Sequence, residues 1–438
     1  MKISTQSYKG ARDFYPEDMQ IRNYIFSTWK RICQRFGYEE YDGPFLESFE
    51  LYEAKSGEEL VNEQLYSFID RGERKVAIRP EMTPTLSRMI AAKHQELTKP
   101  IKWFSTPNLW RYEKPQKGRL REHYQLNVDT FGTTGIEADA EVISILINIM
   151  LEFGAKENMF EIKVNNRRLM EDVYNKLSIE KEKWYQLGKA IDKKPKISQE
   201  AFEEILKVKA QLTSEQIVSI CQFLKNPEEL INTMGDMSKG AREVKSLLKL
   251  LTYSNLDKYV KYNPTVMRGL DYYTGNVFEL FDLNPENTRA LSGGGRYDDL
   301  LKLFIDEELP GVGFGMGDVT MKEFLIGWDL LPEIQTSTEY LVTVWPKDAE
   351  KEADTPSIYQ KTSIEVANIL RNSGKNTSLW LESNTKLDKQ LKYADKKGIR
   401  FVLIIGEQEL KDKTITIKDL KTREQKTDSL EKFFIELQ

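Results

Sequence analysis

Apolar residues recur every three or four positions between 17 and 36, where Ile21, Tyr24, Ile25, Trp29, Ile32 and Phe36 form one stripe, and this spacing predicts an amphipathic helix. Gly37 follows the last apolar position, where a helix-ending glycine belongs, and an extended stretch with Pro44 comes next. Between 101 and 132 the pattern changes to strands: 101–105 and 109–111 precede a polar, basic loop and 124–131 follows it, which predicts a long hairpin. Residues 139–153 read as another helix. From about 168 to 256 the chain is Lys/Glu-rich with helical periodicity, as at Ile217, Ile220, Phe223 and Leu224, and this predicts an inserted helical domain. Strand character returns at 265 and runs to 317. A polar, proline-containing linker covers 331–339. Beyond it, 340–344, 357–372, 378–381, 386–397 and 401–405 alternate strand, helix, strand, helix, strand, the pattern of a small α/β domain with parallel strands.

At 438 residues the chain is long enough for two or three domains, and 40% hydrophobic with 30% charged residues is ordinary for a soluble protein. Its longest apolar runs, such as 401–405, are far too short to span a bilayer, and the start has no apolar signal core, so the cytoplasm is the expected compartment. Cys33 and Cys221 have no paired spacing, which supports neither a disulfide framework nor a zinc site. With only His94 and His123 present, a His-ligated metal or a Ser-His hydrolase triad is not expected either; His94 reads as a surface helix residue. The net charge of -5 argues against a general nucleic-acid coat and leaves room for local basic patches. One patch is the hairpin loop, with Arg111, Lys114, Lys117, Arg119 and Arg121. The other, Lys386 to Arg400, is explained equally well as a solvated helix face.

Four segments carry candidate chemistry. Arg268-Gly-Leu-Asp-Tyr-Tyr-Thr-Gly sets a permanent cation and two aromatic rings before a strand, which suits a planar polar ligand beside a phosphate. Arg111-Tyr-Glu-Lys-Pro-Gln-Lys-Gly-Arg-Leu-Arg-Glu-His-Tyr-Gln125 places a guanidinium fork at a strand end next to a basic loop, which suits anion positioning. Ser292-Gly-Gly-Gly-Arg-Tyr-Asp298 lacks the Gly-Lys-Ser/Thr ending of a phosphate loop, so its glycines point instead to close backbone approach by a ligand or strand. Gly311-Val-Gly-Phe-Gly-Met-Gly317 puts four glycines on one face of a strand, leaving bare backbone on which a flat ring could lie.

Together with Arg79-Pro-Glu-Met-Thr83 and Gly10-Ala-Arg-Asp-Phe-Tyr-Pro16, these segments resemble the histidyl-tRNA synthetase family of class II aminoacyl-tRNA synthetases, in the right order and over essentially the whole chain. The resemblance implies an α+β fold: a class II antiparallel sheet flanked by helices, with a helical insertion and a C-terminal α/β anticodon-binding domain. Expected boundaries are 1–167 and 257–330 for the two parts of the catalytic domain, 168–256 for the insertion and 336–438 for the anticodon-binding domain. It implies ATP-dependent ligation of histidine to tRNA(His) through histidyl-adenylate, with Mg²⁺, and a homodimer. By the same resemblance Arg111 and Arg268 are catalytic, clamping the α-phosphate. Glu81, Thr83, Gln125, Asp129, Tyr272, Tyr273 and Tyr297 hold histidine; Arg111, Glu113, Arg119, His123 and Thr320 hold ATP; Lys114, Gln116 and Lys117 meet tRNA. Two positions depart from the family pattern: Thr320 stands where an arginine usually opens the helix after the glycine strand, and His123 where a phenylalanine usually stacks on adenine. The alternative function is a catalytically decayed paralogue that senses histidine as the regulatory subunit of ATP phosphoribosyltransferase. A sister ligase for threonine, proline or glycine leaves Arg268–Tyr273 unexplained.

Overall fold

The first apolar stripe forms helix α1 (Pro16–Arg35), whose Ile25, Trp29, Ile32 and Cys33 are buried while Ile21, Tyr24 and Phe36 pack at the margin of the same cluster. Pro16 supplies a fixed φ where the first helical N–H would have no partner, and Gly37, at φ +76°, turns the chain away at the other end. The structure, a computed structural model, describes residues 3–53, 60–267, 272–287, 289–333, 336–346, 357–382 and 384–435. It divides into two compact units, Met1–Pro332 and Glu333–Gln438.

In the first unit β1 (Glu39–Glu40) leads to β2 (Leu46–Ser48), α2 (Phe49–Glu53), β3 (Ser67–Ile69) and β4 (Lys75–Ile78), and the last three strands form a small sheet in the order β2-β4-β3. After α3 (Thr83–Lys93) comes the predicted hairpin: β5 (Ile101–Ser105) and β6 (Asn108–Trp110) both pair antiparallel with β7 (Glu122–Phe131). Helix α4 (Ile136–Glu152) begins three residues earlier than its apolar run suggests, and is buried along most of its length. Then follow β8 (Phe160–Asn166) and six helices: α5 (Arg167–Lys176), α6 (Lys181–Lys193), α7 (Gln199–Val208), α8 (Ser214–Lys225), α9 (Pro227–Met234) and α10 (Lys239–Thr252). Leu187, Phe202, Leu206, Ile220, Leu224 and Leu230 give these helices a hydrophobic cluster of their own. Strand β9 (Val260–Tyr262) precedes three that bear on the site: β10 (Asn276–Asp282), β11 (Ala290–Arg296) and β12 (Gly311–Gly317), which runs into α11 (Asp318–Gly327). Among the described residues the predicted strand region at 265–317 thus holds three strands rather than one run, with a short 3-10 turn, Leu300–Leu303, between the last two. His94 lies just past α3, half-buried, with a ring nitrogen 2.8 Å from the Ala91 carbonyl rather than out on a surface helix.

Among the described residues the main sheet has the order β1-β5-β7-β12-β11-β10-β8-β9, with β6 also on β7. Its inner pairs are antiparallel, and the parallel pairs β1–β5 and β8–β9 lie at its two ends. The period of two decides what each face holds. On β12, Val312, Phe314 and Met316 belong to the same buried core as Trp29, Val128, Leu146 and Phe324. The alternating Gly311, Gly313, Gly315 and Gly317 therefore face the other way. Each fully buried large apolar side chain contributes roughly 1.5–3 kcal/mol, so this one-sided core fixes the strand register strongly. A buried ion pair pins the end of β11: Arg296 bonds Asp139 on α4 and donates to the carbonyls of Thr133 and Gly135, each at 3.0 Å.

In the second unit β13 (Tyr340–Val342), α12 (Ile358–Asn372), β14 (Thr377–Leu379), α13 (Leu387–Lys396) and β15 (Phe401–Ile404) follow the predicted alternation, and β13 pairs parallel with both β14 and β15. Beyond them α14 (Glu407–Asp412), β16 (Thr414–Asp419), β17 (Gln425–Ser429) and α15 (Leu430–Ile435) add two antiparallel strands, so the sheet is mixed rather than parallel throughout, in the order β14-β13-β15-β16-β17. Helix α13 buries Gln390 and Ala394 and leaves Lys389, Lys392 and Lys396 exposed.

Candidate active site

The face of β12 that the core leaves bare is filled by polar side chains. A methyl group built on Gly311 would meet the Tyr297 ring at 2.5 Å, one on Gly313 would meet the Tyr297 hydroxyl at 2.6 Å and Asp129, and one on Gly315 would meet the end of Gln125 at 2.8 Å. The glycine stripe therefore makes room for the protein's own Tyr297, Asp129 and Gln125, and only part of it is left as open wall. On β11, Gly295 makes room for the Tyr273 ring in the same way, at 2.8 Å.

The Tyr297 hydroxyl donates to Asp129 in a buried hydrogen bond. Tyr272 and Tyr273 lie with ring centroids 5.8 and 6.2 Å from Tyr297, and all three rings are buried. Burial raises Asp129 to about 7 against the opposing pull of the Tyr297 bond, so its carboxyl is poised between charged and neutral near neutral pH. Burial, and then the Asp129 charge, push the Tyr297 hydroxyl well above its ordinary range, which keeps it a donor. The second oxygen of Asp129 has no hydrogen-bond partner among the described residues. A buried acceptor without a partner invites a donor from a ligand.

The Glu81–Thr83 segment is held by a chain of anchors of its own. Arg79 is buried, donating to the carbonyls of Gly43 (2.8 Å) and Asn108 (3.0 Å) and pairing with Asp42 at 3.0 Å. It is thus a strut. Glu81 is buried beside it and Thr83 opens α3. Arg111 donates from Nε to the Pro80 carbonyl at 2.9 Å, which couples it to the Glu81 segment and leaves its terminal nitrogens for an anion.

Two cavities meet at Arg111. The larger, about 620 Å³, is lined on one side by Arg111, Gly118, Arg119 and Gln125, and on the other by Glu279, Arg289, Ser292 and Gly293. That volume is typical of a small-molecule site. The smaller, about 110 Å³, is lined by Arg111, Glu113, Arg119, His123 and Thr320. Burial, and then Arg111, Arg12 and Arg119, lower His123 to about 3, so its ring is neutral at physiological pH. Arg119 is paired with Glu113 at 2.8 Å. Lys114, Gln116 and Lys117 are exposed at the tip of the loop, closed by mutual backbone bonds of 2.9 Å between Gln116 and Arg119 and by Gly118 at φ +73°. The Thr320 hydroxyl donates to its own backbone neighbourhood, the carbonyls of Gly317 (3.2 Å) and Leu291 (3.4 Å).

Of the expected residues, Arg111, Glu113, Arg119, Gln125, His123 and Thr320 line the two cavities and Asp129, Tyr272, Tyr273 and Tyr297 cluster together, whereas Glu81 and Thr83 line neither cavity and Lys114, Gln116 and Lys117 stay at the exposed loop tip. Arg268 lies outside the described residues. Asp318, Arg289 and Lys196 were missed by sequence reasoning. Asp318 is buried, pairs with Arg12 at 2.8 Å and accepts from the Tyr124 backbone at 2.9 Å, tying the start of α11 to β7. Arg289 and Lys196 line the larger cavity; the signal for Arg289 was a cation directly before a glycine-rich strand, whereas nothing in the sequence singled out Lys196.

Residues 10–318 match the family model described as histidyl-tRNA synthetase, and residues 342–438 match the one described as anticodon binding domain. A histidine–tRNA ligase of Leptospira biflexa is 44% identical over 97% of this chain and 95% of its own length. One from Thermoplasma volcanium is 38% identical over 97% and 96%. The crystal structure of histidyl-tRNA synthetase from Nostoc sp. PCC 7120 superposes with a TM-score of 0.82 at 24% identity, covering 100% of this chain and 99% of that one, which bears on the fold. With its glycine-backed pocket, its arginine-lined cavity and these relatives over nearly its full length, the chain belongs to the histidyl-tRNA synthetase family.

Proposed function

We propose that the chain activates histidine with ATP and transfers it to tRNA(His). The observation that carries this is the continuous wall of β7 and β12. Asp129 stands opposite Gly313 and Gln125 opposite Gly317, so the tyrosine-lined pocket and the arginine-lined cavity sit in line along one strand pair. Four residues of strand span about 13 Å, the length needed to set an amino acid end-on to a triphosphate. The regulatory-subunit reading is not better supported: the relatives at 44% and 38% identity are named ligases.

In the proposed reaction the histidine carboxylate oxygen attacks the α-phosphorus of ATP and the bond to the bridging oxygen breaks. Histidyl-adenylate and pyrophosphate form. The terminal ribose hydroxyl of the tRNA then attacks the acyl carbon, and AMP leaves. Glu81 is assigned to the substrate ammonium, with Thr83 beside it. Gln125 and Asp129 meet the substrate, and Tyr272, Tyr273 and Tyr297 enclose its imidazole. A buried pocket that pairs both ring nitrogens rejects isosteres lacking them, because its own polar groups would be left unpaired. Arg111 and Arg268 clamp the α-phosphate as charge develops there, Arg119 reaches the outer phosphates, and Glu113, His123 and Thr320 hold the nucleotide on the smaller cavity. The neutral imidazole of His123 is a flat surface for a base. Lys114, Gln116 and Lys117 are assigned to the acceptor end of the tRNA.

The oxygen donors on the larger cavity, Glu279 and Ser292, are hard ligands of the type Mg²⁺ accepts, and they are the residues that would share a magnesium carried in on ATP. Bound magnesium would neutralise phosphate charge. Residues 1–167 and 257–330 are assigned to the catalytic domain, 168–256 to an insertion and 336–438 to anticodon reading. A homodimer is part of the proposal, supported by the exposed apolar Phe45, Leu46, Phe68 and Ile69 on the small sheet and its entry. The cytoplasm is the proposed compartment; no helix among the described residues is long and apolar enough to cross a membrane. The deciding experiment is pyrophosphate exchange into ATP by the purified protein: exchange only with histidine is expected, and exchange with another amino acid, or none, refutes the proposal.

A further inference from the structure

We propose that Arg289 holds the outer phosphates of the nucleotide, supplying at the Thr320 corner of the cavity the charge that Thr320 itself lacks. The proposal rests on the ATP-dependent activation above and adds a residue to it.

Three observations carry it. The first is position. A methyl group built on Gly118, at the loop tip, would lie 3.2 Å from Cδ of Arg289 and 3.7 Å from Cγ2 of Thr320, so the arginine stem, the loop and the threonine meet at one point. The β11–β12 register then sets an order along the sheet. Tyr297 reaches Gly311 and Gly313, Gln125 reaches Gly315, and Arg289 lies beyond Ser292, which pairs with Met316. The amino-acid end and Arg289 therefore lie at successive positions along the sheet, and Arg111 lines the same cavity as Arg289.

The second is availability. Arg111 is tethered to the Pro80 carbonyl and Arg119 is paired with Glu113, while no carboxylate among the described residues pairs with Arg289. The Thr320 hydroxyl is turned to backbone carbonyls. A half-buried guanidinium on a cavity wall with no counter-ion among those residues is suited to a phosphate, which it binds with two parallel donors.

The third is rigidity. Asp282 accepts from the Asn284 backbone (2.8 Å), the Asn287 amide (2.9 Å) and the Trp328 indole (2.8 Å), which braces residues 282–287. The Arg289 backbone N–H in turn donates to the Asn287 side chain at 3.4 Å, and a tethered cation needs less ordering when an anion arrives.

The test uses the full-length Arg289→Ala and Arg289→Lys proteins. Arg289→Ala should raise the ATP KM in histidine-dependent exchange about tenfold or more and weaken calorimetric binding of pyrophosphate by a similar factor, with Arg289→Lys in between. Transfer from preformed enzyme-bound histidyl-adenylate to tRNA should be unchanged, because the outer phosphates have already left. Adding Thr320→Arg to Arg289→Ala should recover much of the ATP affinity, since the two side chains share one corner. Unchanged ATP KM and pyrophosphate affinity, or equal slowing of both half-reactions, would overturn the assignment. If the unaltered protein shows no histidine-dependent exchange, the proposed function fails, while pyrophosphate binding still decides for or against Arg289.

Discussion

Replacing Gly313 by alanine puts one methyl group where the structure leaves none. That methyl would stand 2.5 Å from the Val128 carbonyl and 2.6 Å from the Tyr297 hydroxyl, and against Asp129, where ordinary contact begins at 3.4 Å. The carbonyl belongs to the neighbouring strand and cannot rotate away, so β7 and β12 must separate by a sizeable fraction of an ångström. Overpacking of this kind costs about 1–3 kcal/mol, and disturbing the buried Tyr297–Asp129 bond adds about 1–3 kcal/mol. Gly315→Ala is the internal control: the three atoms nearest its methyl all belong to the movable end of Gln125, the first at 2.8 Å. Alanine also restricts the unfolded chain, worth about 0.4–1 kcal/mol, so Gly315→Ala should be close to neutral in stability. Urea unfolding followed by tryptophan fluorescence, with the histidine KM from pyrophosphate exchange, separates the two variants. Gly313→Ala should lose about 2–5 kcal/mol and bind histidine at least about tenfold more weakly. A Gly313→Ala protein within about 0.5 kcal/mol of the original and with an unchanged histidine KM would refute the packing argument.

Arg296→Met leaves Asp139 buried without its cation and should cost about 3–5 kcal/mol in urea unfolding, most of it recovered by adding Asp139→Leu; a loss below about 1 kcal/mol would deny the pair its structural role. Because burial raises Asp129 to about 7, the folded chain keeps a proton that the unfolded chain releases near pH 4. Stability from this group is therefore complete below about pH 4 and declines by about 1.4 kcal/mol per pH unit until about 7. Asp129→Asn should lack this slope, so its stability relative to the unaltered protein should rise between about pH 5 and 7; parallel curves would contradict it. Arg111→Ala should lower histidine-dependent exchange by about 10²–10³ with an unchanged urea midpoint, and near-normal exchange would remove it from the clamp.

Much of this was legible because periodicity survives wherever one face is buried. The α1 stripe, the hairpin around the basic loop and the β13–α12–β14–α13–β15 alternation all read directly from apolar spacing. Strand β16 does carry an apolar alternation, Ile415 and Ile417, that went unread, whereas every residue of β17 is exposed or half-buried and nothing apolar marks it. The short strands β1 and β2, of two and three residues, are set by pairing partners far away in sequence, which no local pattern records. In the site, Arg111, Gln125 and Asp129 were assigned through the family resemblance; the structure puts Gln125 and Asp129 on one face of β7 and Arg111 just past the end of β6. The glycines of β12 were read as a bare surface for a ligand, yet they make way chiefly for Tyr297, Asp129 and Gln125, because a missing side chain does not announce which neighbour fills its space. Arg289 and Asp318 became visible only through neighbours at Gly118, Tyr124 and Arg12.

In the proposed pose, the ion pair between Glu113 and Arg119 lies between the base and the phosphates of the nucleotide. Half of the Arg119 side chain is exposed, so the pair itself is weak, and Glu113 keeps acceptor capacity and Arg119 donor capacity for a ligand. A nucleotide that presents an N–H donor to Glu113 and an anion to Arg119 at the same moment satisfies both. In the proposed pose adenosine triphosphate does this through its exocyclic amino group. Inosine triphosphate, with the same phosphates and a carbonyl in place of that group, turns an acceptor toward an acceptor-only carboxylate. It should support exchange far less well than ATP, and Glu113→Gln, which can donate, should narrow the gap. In that pose the pair links recognition of the base to recognition of the phosphates.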